Sequence, residues 1–257
     1  MKLRIVTFNA QHRLGEPPAR RERRIDALAN LLRRQEADVL CLQEVIPETH
    51  EDLVERLAPK AAVFCPRDDG IRSGEGVPVY LMGGRFEEFR SDRFWLSPTP
   101  DRPSLGWRAR CHRLASVIGL HPAGIPEERL WIVNAHLDHY SHEARAKSFL
   151  LLREKVSAYL GDSHDRIVVC GDFNLRPGDP LLPRFRSGDP PLRDPAEAVR
   201  PAPTYRGWGP LRFAKKRLDY CLHSNGLACD SYRTIPPVVD GPALSDHNLV
   251  RVDLRFR

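Results

Sequence analysis

The chain has 257 residues, of which 41% are hydrophobic and 29% charged, and a net charge of +6. That composition is normal for a soluble protein with a substantial core, organised as one large α/β domain or two small ones. No apolar stretch approaches bilayer length, and MKLRIVTFN enters a strand at once, leaving no signal peptide; a cytoplasmic protein with no membrane partner is expected.

The first predicted strand is 3–9, followed by a helix over 18–36 with Ile25, Leu28 and Leu32 at helical spacing and arginines opposite. A strand at 38–43 leads to a second helix, 47–58, carrying Leu53, Val54 and Leu57. Further strands are expected at 77–82, 115–120 and 130–137. The clearest helix is 142–160, where Ser141 is placed to cap the start, Phe149, Leu152, Val156 and Leu160 form the apolar stripe, and Gly161 lies just past the end. Strands at 166–171 and 217–223 follow. The closing segment alternates Val250, Val252, Leu254 and Phe256 with charged residues, a half-buried antiparallel pattern. Three stretches, 65–76, 97–112 and 175–212, are rich in Pro, Gly and Arg and read as irregular loops of the kind that carry substrate selection. With no repeat, low-complexity tract or linker, 1–257 reads as a single domain, and no coiled-coil heptad argues against a monomer.

None of the six cysteines forms a CxxC pair, and Cys41, Cys170 and Cys221 lie inside apolar runs, as buried thiols of a reducing compartment do. Only six of the forty basic residues are lysines. An arginine-rich surface draws anionic ligands, although an arginine-favouring codon bias gives the same excess, so charge alone does not establish nucleic-acid binding.

The polar residues that terminate the apolar runs are more informative. RIVTFN ends in Asn9, VLCLQE in Glu44, WIVNAHLDH in His136 and His139, VVCGDFN in Asp172 and Asn174, RLDY in Asp219, and ALSDHNLV contains Asp246 and His247. If the strand through VVCGDFN continues to its end, Asp172 and Asn174 project from one face. Repeated Asp, Glu, Asn and His at strand ends build an oxygen-rich site over a sheet, which points to catalysis on a phosphate with a hard cation such as Mg²⁺.

In order, TFN, LQEV, NAHLDH, GDFN, LDY and SDH resemble the endonuclease/exonuclease/phosphatase superfamily, the deoxyribonuclease I-like fold, over residues 4–254. NAHLDH before SHEAR, with RDDG and FWLSPTP, is similar to its bacterial metal-dependent hydrolase branch. The resemblance implies an α/β protein: a four-layer α/β/β/α sandwich of two packed mixed β-sheets flanked by helices, with the site at one end of the sheets. It implies a Mg²⁺-dependent enzyme, with Mn²⁺ as an alternative because both ions favour oxygen ligands.

Glu44 is the expected principal metal ligand, with Asn9 and Asp246 completing the ion's surroundings directly or through water. Asp172 is assigned to orient or deprotonate the attacking water, and Asn174 to bond that water or a phosphate oxygen. Asp219 and His247 are expected to pair, giving a cationic donor to the phosphate; which of Asp172 and His247 is the base stays open on sequence, and we assign Asp172. In the family's branches whose strand reads HL, the residue at His136 contacts the phosphate. His139 and Arg113 are candidate substrate-binding residues, the arginine as a bidentate clamp, and of Asp138 and His139 one is expected to support the site. Gln11 stands where some nuclease branches carry an acidic residue, and the specialised strings of abasic-site endonucleases and inositol polyphosphate phosphatases are missing: the corresponding segments read AHLDH and FAKKRLDY. The leading expectation is therefore a phosphoesterase acting on phosphodiesters or small phosphate esters. A DNA or RNA nuclease with Trp95, Trp107 or Trp208 as stacking platforms is the second reading. An inactive binding module on the same fold is the third.

Overall fold

A computed structural model describes residues 1–161, 166–207, 215–239 and 241–257. In chain order the first sheet and its helices begin with β1 (Lys2–Asn9), α1 (Pro18–Arg33), β2 (Val39–Gln43), α2 (Pro47–Leu57), β3 (Ala61–Val63) and β4 (Val79–Leu81). The second sheet follows as β5 (Phe86–Trp95), β6 (Leu114–Pro122), β7 (Leu130–His136), α3 (His142–Leu160), β8 (Arg166–Asp172), α4 (Leu181–Arg186), β9 (Leu192–Arg193) and β10 (Asp219–Ser224). The chain then returns to the first sheet with β11 (Leu227–Ile235) and β12 (Leu249–Phe256). The strand orders are β11-β12-β1-β2-β4-β3 and β5-β6-β7-β8-β10-β9, and both sheets are mixed, with β1–β2 and β7–β8 as parallel pairs.

The layers follow from alternation along the strands. Leu3, Ile5, Val39 and Cys41 face Ile118, Ile132, Val168 and Cys170 of the other sheet. Their neighbours Val6, Phe8, Leu40 and Leu42 point outward onto Ile25, Leu28 and Leu32 of α1 and Leu53 of α2. On the far side Val117, Val133 and Val169 pack against Phe149, Leu152 and Val156 of α3. Central strands are thus covered on both faces, which is why they read as nearly continuous apolar runs. The expected four-layer sandwich is what forms.

Two buried amides cross the apolar layer between the sheets. Gln43 Nε2 donates to Asn134 Oδ1 at 2.7 Å, and Asn134 Nδ2 donates to the carbonyls of Leu42 and Pro78 at 2.7 and 2.9 Å. In so dry a place these bonds are expensive to break, so they fix the two sheets against each other near the ends that carry Glu44 and His136.

The expected helices form, with Ser141 Oγ accepting from Ala144 N at 3.1 Å, but α1 stops at Arg33 and Glu36 turns into the left-handed region at φ 50. Sequence reading missed β3, β5 and β11. All three are edge strands; β3 has only three residues, and bulges at Glu88/Arg90 in β5 and Cys229/Ser231 in β11 interrupt the two-residue period. The stretch 175–212 is also less irregular than expected, since it holds α4, β9 and a 3₁₀ turn over Pro195–Ala198. All six cysteines are free, and Cys41, Cys65, Cys170 and Cys221 are buried. Among the described residues no helix is long and apolar enough to cross a membrane.

Two stability predictions follow from the packing. Gly171 has φ +131, and a Cβ there would lie 1.9 Å from the Ala135 carbonyl oxygen on β7. Gly171→Ala should cost more than about 3 kcal/mol in urea unfolding; a loss under about 1 kcal/mol would show that the two strands can part freely. His50, stacked on Phe64 and accepting at Nδ1 from the Tyr80 hydroxyl at 2.8 Å, is held at about 4 by burial. The unfolded chain, with an ordinary histidine near 6.5, binds the proton first. His50 therefore draws stability down as pH falls from about 6.5 to about 4, and His50→Gln should flatten the urea midpoint across that window relative to the parent.

Candidate active site

The site is a transverse row across the ends of both sheets. On the second sheet His136, Asp172 and Asp219 are register partners on β7, β8 and β10. On the first, Asn9 of β1 pairs in register with Gln43 of β2, and Glu44 follows immediately. Asp246 and His247 come in on the segment before β12, which Ser245 clips to β1: its hydroxyl donates to Asn9 O at 2.7 Å and accepts from His247 N at 3.0 Å. Thr204 Oγ1 accepts from the backbone N–H groups of Leu218 and Asp219 at 2.9 and 3.0 Å, fixing the start of β10.

Asn9 joins the two halves. Its amide nitrogen donates to Glu44 Oε1 at 2.9 Å and to Asp172 Oδ2 at 3.1 Å, while its oxygen accepts from Gln11 N at 3.0 Å. In this arrangement the amide holds two carboxylates in place.

The ionisable groups are pushed in opposite directions. His247 Nδ1 lies 2.8 Å from Asp219 Oδ2, and Nε2 lies 3.7 Å from Asp172 Oδ2. Burial alone would discharge the ring, but the charge and hydrogen bond of Asp219, with Asp172 and Asp246 beyond, outweigh it and hold His247 up at about 10. At neutral pH it is an imidazolium with an N–H at both nitrogens, the one on Nδ1 donating to Asp219. Burial, then the charge of Asp219, lifts Asp172 to about 7, against the pull of His247 and the hydrogen bonds from Asn174 N and Asn9. His136 goes the other way: burial, then the charges of Arg113 and Arg67, hold it well below its ordinary value, so it is neutral. Its Nε2 is 3.7 Å from Asp172 Oδ2.

The donor set fits a hard divalent cation, and the place that fits is Glu44. Asp172, Asp219 and His247 bring their ligand atoms within 4.8 Å of one another, but His247 Nδ1 is already engaged by Asp219 Oδ2 at 2.8 Å and Asp172 Oδ2 by Asn9 at 3.1 Å. Among the described residues, Glu44 is instead a half-buried carboxylate whose hydrogen bonds come from neutral donors, Asn9 Nδ2 and the His12 N–H at 3.2 Å. Burial, then the neighbouring negative charge of Glu75, raises its pKa. Oxygen ligands and an unmatched negative charge suit Mg²⁺ or Mn²⁺.

Other expected residues sit differently. β8 ends at Asp172, and Asn174, at φ 51, lies beyond the strand with its Nδ2 donating to Leu137 O at 3.0 Å. It does not project beside Asp172 from one strand face, because the chain turns left-handed there, a conformation asparagine tolerates. Gln11 at φ 54 and Glu44 at φ 57 turn the same way, as do Trp107 and Arg108 in the neighbouring loop. Asp246 shapes the field felt by His247 and Glu44, and its carbonyl accepts from Arg206 N at 2.8 Å.

Asp138 is the structural member of NAHLDH, accepting from the N–H groups of Tyr140, Ser141 and Arg110. His139 Nδ1 is the acceptor for Arg113 Nη2 at 3.0 Å. Trp95 is 4% exposed and its indole N–H donates to Arg67 O at 2.7 Å, so it pins a loop and offers no stacking face. Trp107 is half-buried, and Trp208 lies outside the described residues.

Sequence reasoning missed Gln43, Asn134, Tyr205, Arg67 and Glu75. Buried amides inside apolar runs signalled the first two. Tyr205, whose ring meets His247 edge-on at 5.1 Å, is brought there by an isolated bridge with no local signature.

A four-layer sandwich with carboxylates and imidazoles gathered over the ends of its two sheets defines the class of protein. The endonuclease/exonuclease/phosphatase family model matches residues 6–247, and the chain belongs to that family. A Bacteroides vulgatus endonuclease/exonuclease/phosphatase superposes with a TM-score of 0.90 at 25% identity, covering 100% of each chain. A Bacteroides thetaiotaomicron mannosyl-6-phosphatase does so at 0.86 with 26% identity, over 99% of this chain and 100% of that one. TDP2 from D. rerio, complexed with a single-strand DNA product, matches at 0.77 with 20% identity over 99% of both chains and shares the fold. An uncharacterized protein of Acanthamoeba polyphaga mimivirus is 26% identical over 183 residues, which are 67% of this chain and 66% of the viral protein's length.

If Asp219 sustains the His247 charge, Asp219→Asn should lower the His247 imidazole pKa by about two units or more, read from its ring resonances by NMR titration of the metal-free protein. An unchanged titration would remove Asp219 from that role.

Proposed function

We propose that the chain is a divalent-metal-dependent phosphoesterase, working as one catalytic domain in which Asp172 activates the attacking water. The carrying observation is the seat of Asp172: a buried carboxylate near neutrality, held by Asn9 and the Asn174 N–H, with the His247 imidazolium 3.7 Å away. A base whose pKa lies close to the working pH combines availability with driving force.

Glu44, with Asn9 and Asp246 around it, would hold Mg²⁺ or Mn²⁺, which when bound supplies charge neutralisation at a non-bridging phosphate oxygen. The rest of the chemistry falls to side chains. Asp172 accepts the proton of the water as its oxygen bonds phosphorus in line with the breaking ester bond, and the ester oxygen leaves with the bonding electron pair and takes a proton from solvent to become the alcohol. His247 presents a cationic N–H to the phosphoryl oxygens, and neutral His136 offers a further hydrogen bond on the same side. Arg113, oriented by His139, supplies a guanidinium to the substrate phosphate. Asn174 contributes its backbone N–H to Asp172.

Family membership, and the mannosyl-6-phosphatase likeness at 26% identity, support a phosphate-ester substrate. A nucleic acid is the second reading, favoured by the single-strand DNA product held by the D. rerio neighbour, which shares the fold alone.

Hydrolysis of bis(p-nitrophenyl) phosphate and p-nitrophenyl phosphate should be measured in parallel with Mg²⁺. At least one should turn over, and Asp172→Asn should lower kcat by about 10²- to 10⁴-fold. Failure of the wild-type chain on both esters and on DNA and RNA, with Mg²⁺ or Mn²⁺, would sink the reading.

A further inference from the structure

Behind His136 lies a group of charges that the sequence reading did not assemble. Arg113 is 6% exposed, yet its Nη2 donates to the neutral ring of His139, its Nε has no hydrogen-bond partner, and among the described residues no carboxylate lies within ion-pair distance. Arg67 faces the same space. Its Nη1 donates to Glu75 Oε2, and its buried Nε makes no hydrogen bond but lies 3.6 Å from Asp68 Oδ1 in an ion pair. The two cations are close enough that burial, then the charge of Arg67, lowers the pKa of Arg113. Both neighbouring carboxylates, Glu75 and Asp68, sit on Arg67, so among the described residues Arg113 is a buried cation with no carboxylate paired to it, and such a charge is costly until an anion meets it.

The space between them is small. A crevice of about 10 Å³, lined by Arg67, Glu75, Arg113 and His136 together with Val77 and Leu114, opens beside His136. That is room for one oxygen-sized group.

We propose that Arg113, with Arg67 beside it, forms a seat for one unesterified phosphate oxygen, and that the substrate is accordingly a phosphate monoester. This rests on the phosphoesterase reading above and narrows it. The site then offers three stations for non-bridging oxygens: the Glu44 side, the His247–His136 imidazoles, and the guanidinium seat. A monoester has three such oxygens and fills all of them. A diester has two, and must set a carbon-bearing ester oxygen against one station. Charge-assisted bonds from a fork of guanidinium N–H groups are among the stronger available, so the third station discriminates between the two ester classes.

The test compares wild type, Arg67→Gln and the double variant Arg67→Gln/Glu75→Gln on the same two p-nitrophenyl esters with Mg²⁺, alongside calorimetric binding of inorganic phosphate. Wild type should prefer the monoester. Arg67→Gln should lower the monoester-to-diester ratio of kcat/KM by about tenfold or more and weaken phosphate binding similarly, the scale of one lost charge-assisted hydrogen bond. The double variant removes the stranded Glu75 charge and should remain defective. Equal losses on both esters, unchanged phosphate binding, or recovery in the double variant would each overturn the seat and leave Arg67 as a partner of Glu75 and Asp68 only. Wild-type turnover of the diester alone overturns the monoester assignment while the phosphoesterase reading survives; turnover of neither ester overturns the monoester assignment too, and the DNA and RNA assays then decide the parent reading.

Discussion

The geometry of the site depends on one side chain amide. Asn9 donates to a carboxylate on its own sheet and to another on the opposite sheet, Glu44 and Asp172. Two buried acids so close repel each other and resist ionisation; a neutral donor between them stabilises both without adding a countercharge. The ion proposed at Glu44 and the base proposed at Asp172 can therefore be neighbours and remain chemically distinct. The Gln43–Asn134 bridge does the corresponding work one layer deeper. With the sheets pinned there, the ends that carry Asn9 and Asp172 keep a fixed separation, and the site inherits the rigidity of the sandwich.

Around that amide the chain separates its titrating groups by environment. Asp219 surrounds His247 with negative charge and makes it a cation, whereas Arg113 and Arg67 surround His136 with positive charge and keep it neutral. The same side chain thus stands charged on one flank of Asp172 and neutral on the other. Such a division needs rigid neighbours. Asp172, His136 and Asp219 share a strand register, and the close approach of Gly171 to β7 blocks slippage.

Much of this was legible in the sequence because polar residues punctuate strands that are otherwise apolar. Asn9, Glu44, His136, Asp172, Asp219 and His247 stand out against buried runs, and the structure brings all six together. The central strands and three helices were legible for the same reason: their burial is written in a regular period. Less was readable where burial is one-sided or absent. β5 and β11 lie at sheet edges with bulges, so their alternation slips. Asn174 looked like a strand residue because handedness of the backbone leaves no mark in hydrophobicity. Arg67 and Glu75 sit in a loop, and nothing local distinguishes them from the other arginines and glutamates; only the packing against Trp95 and β6 carries them to His136.

The left-handed residues beside the site have an evolutionary consequence. Asparagine visits that conformation at little cost, so Asn174 suits its backbone. Gln11 and Glu44 do not, and each carries strain of about 1 kcal/mol or more that glycine would relieve. Selection for thermal robustness alone would let both positions drift to glycine or asparagine. An acidic side chain at such a turn is what selection on chemistry, rather than on stability, would leave. In descendants or designs that abandoned catalysis, position 44 is where that selection would first be seen to lapse.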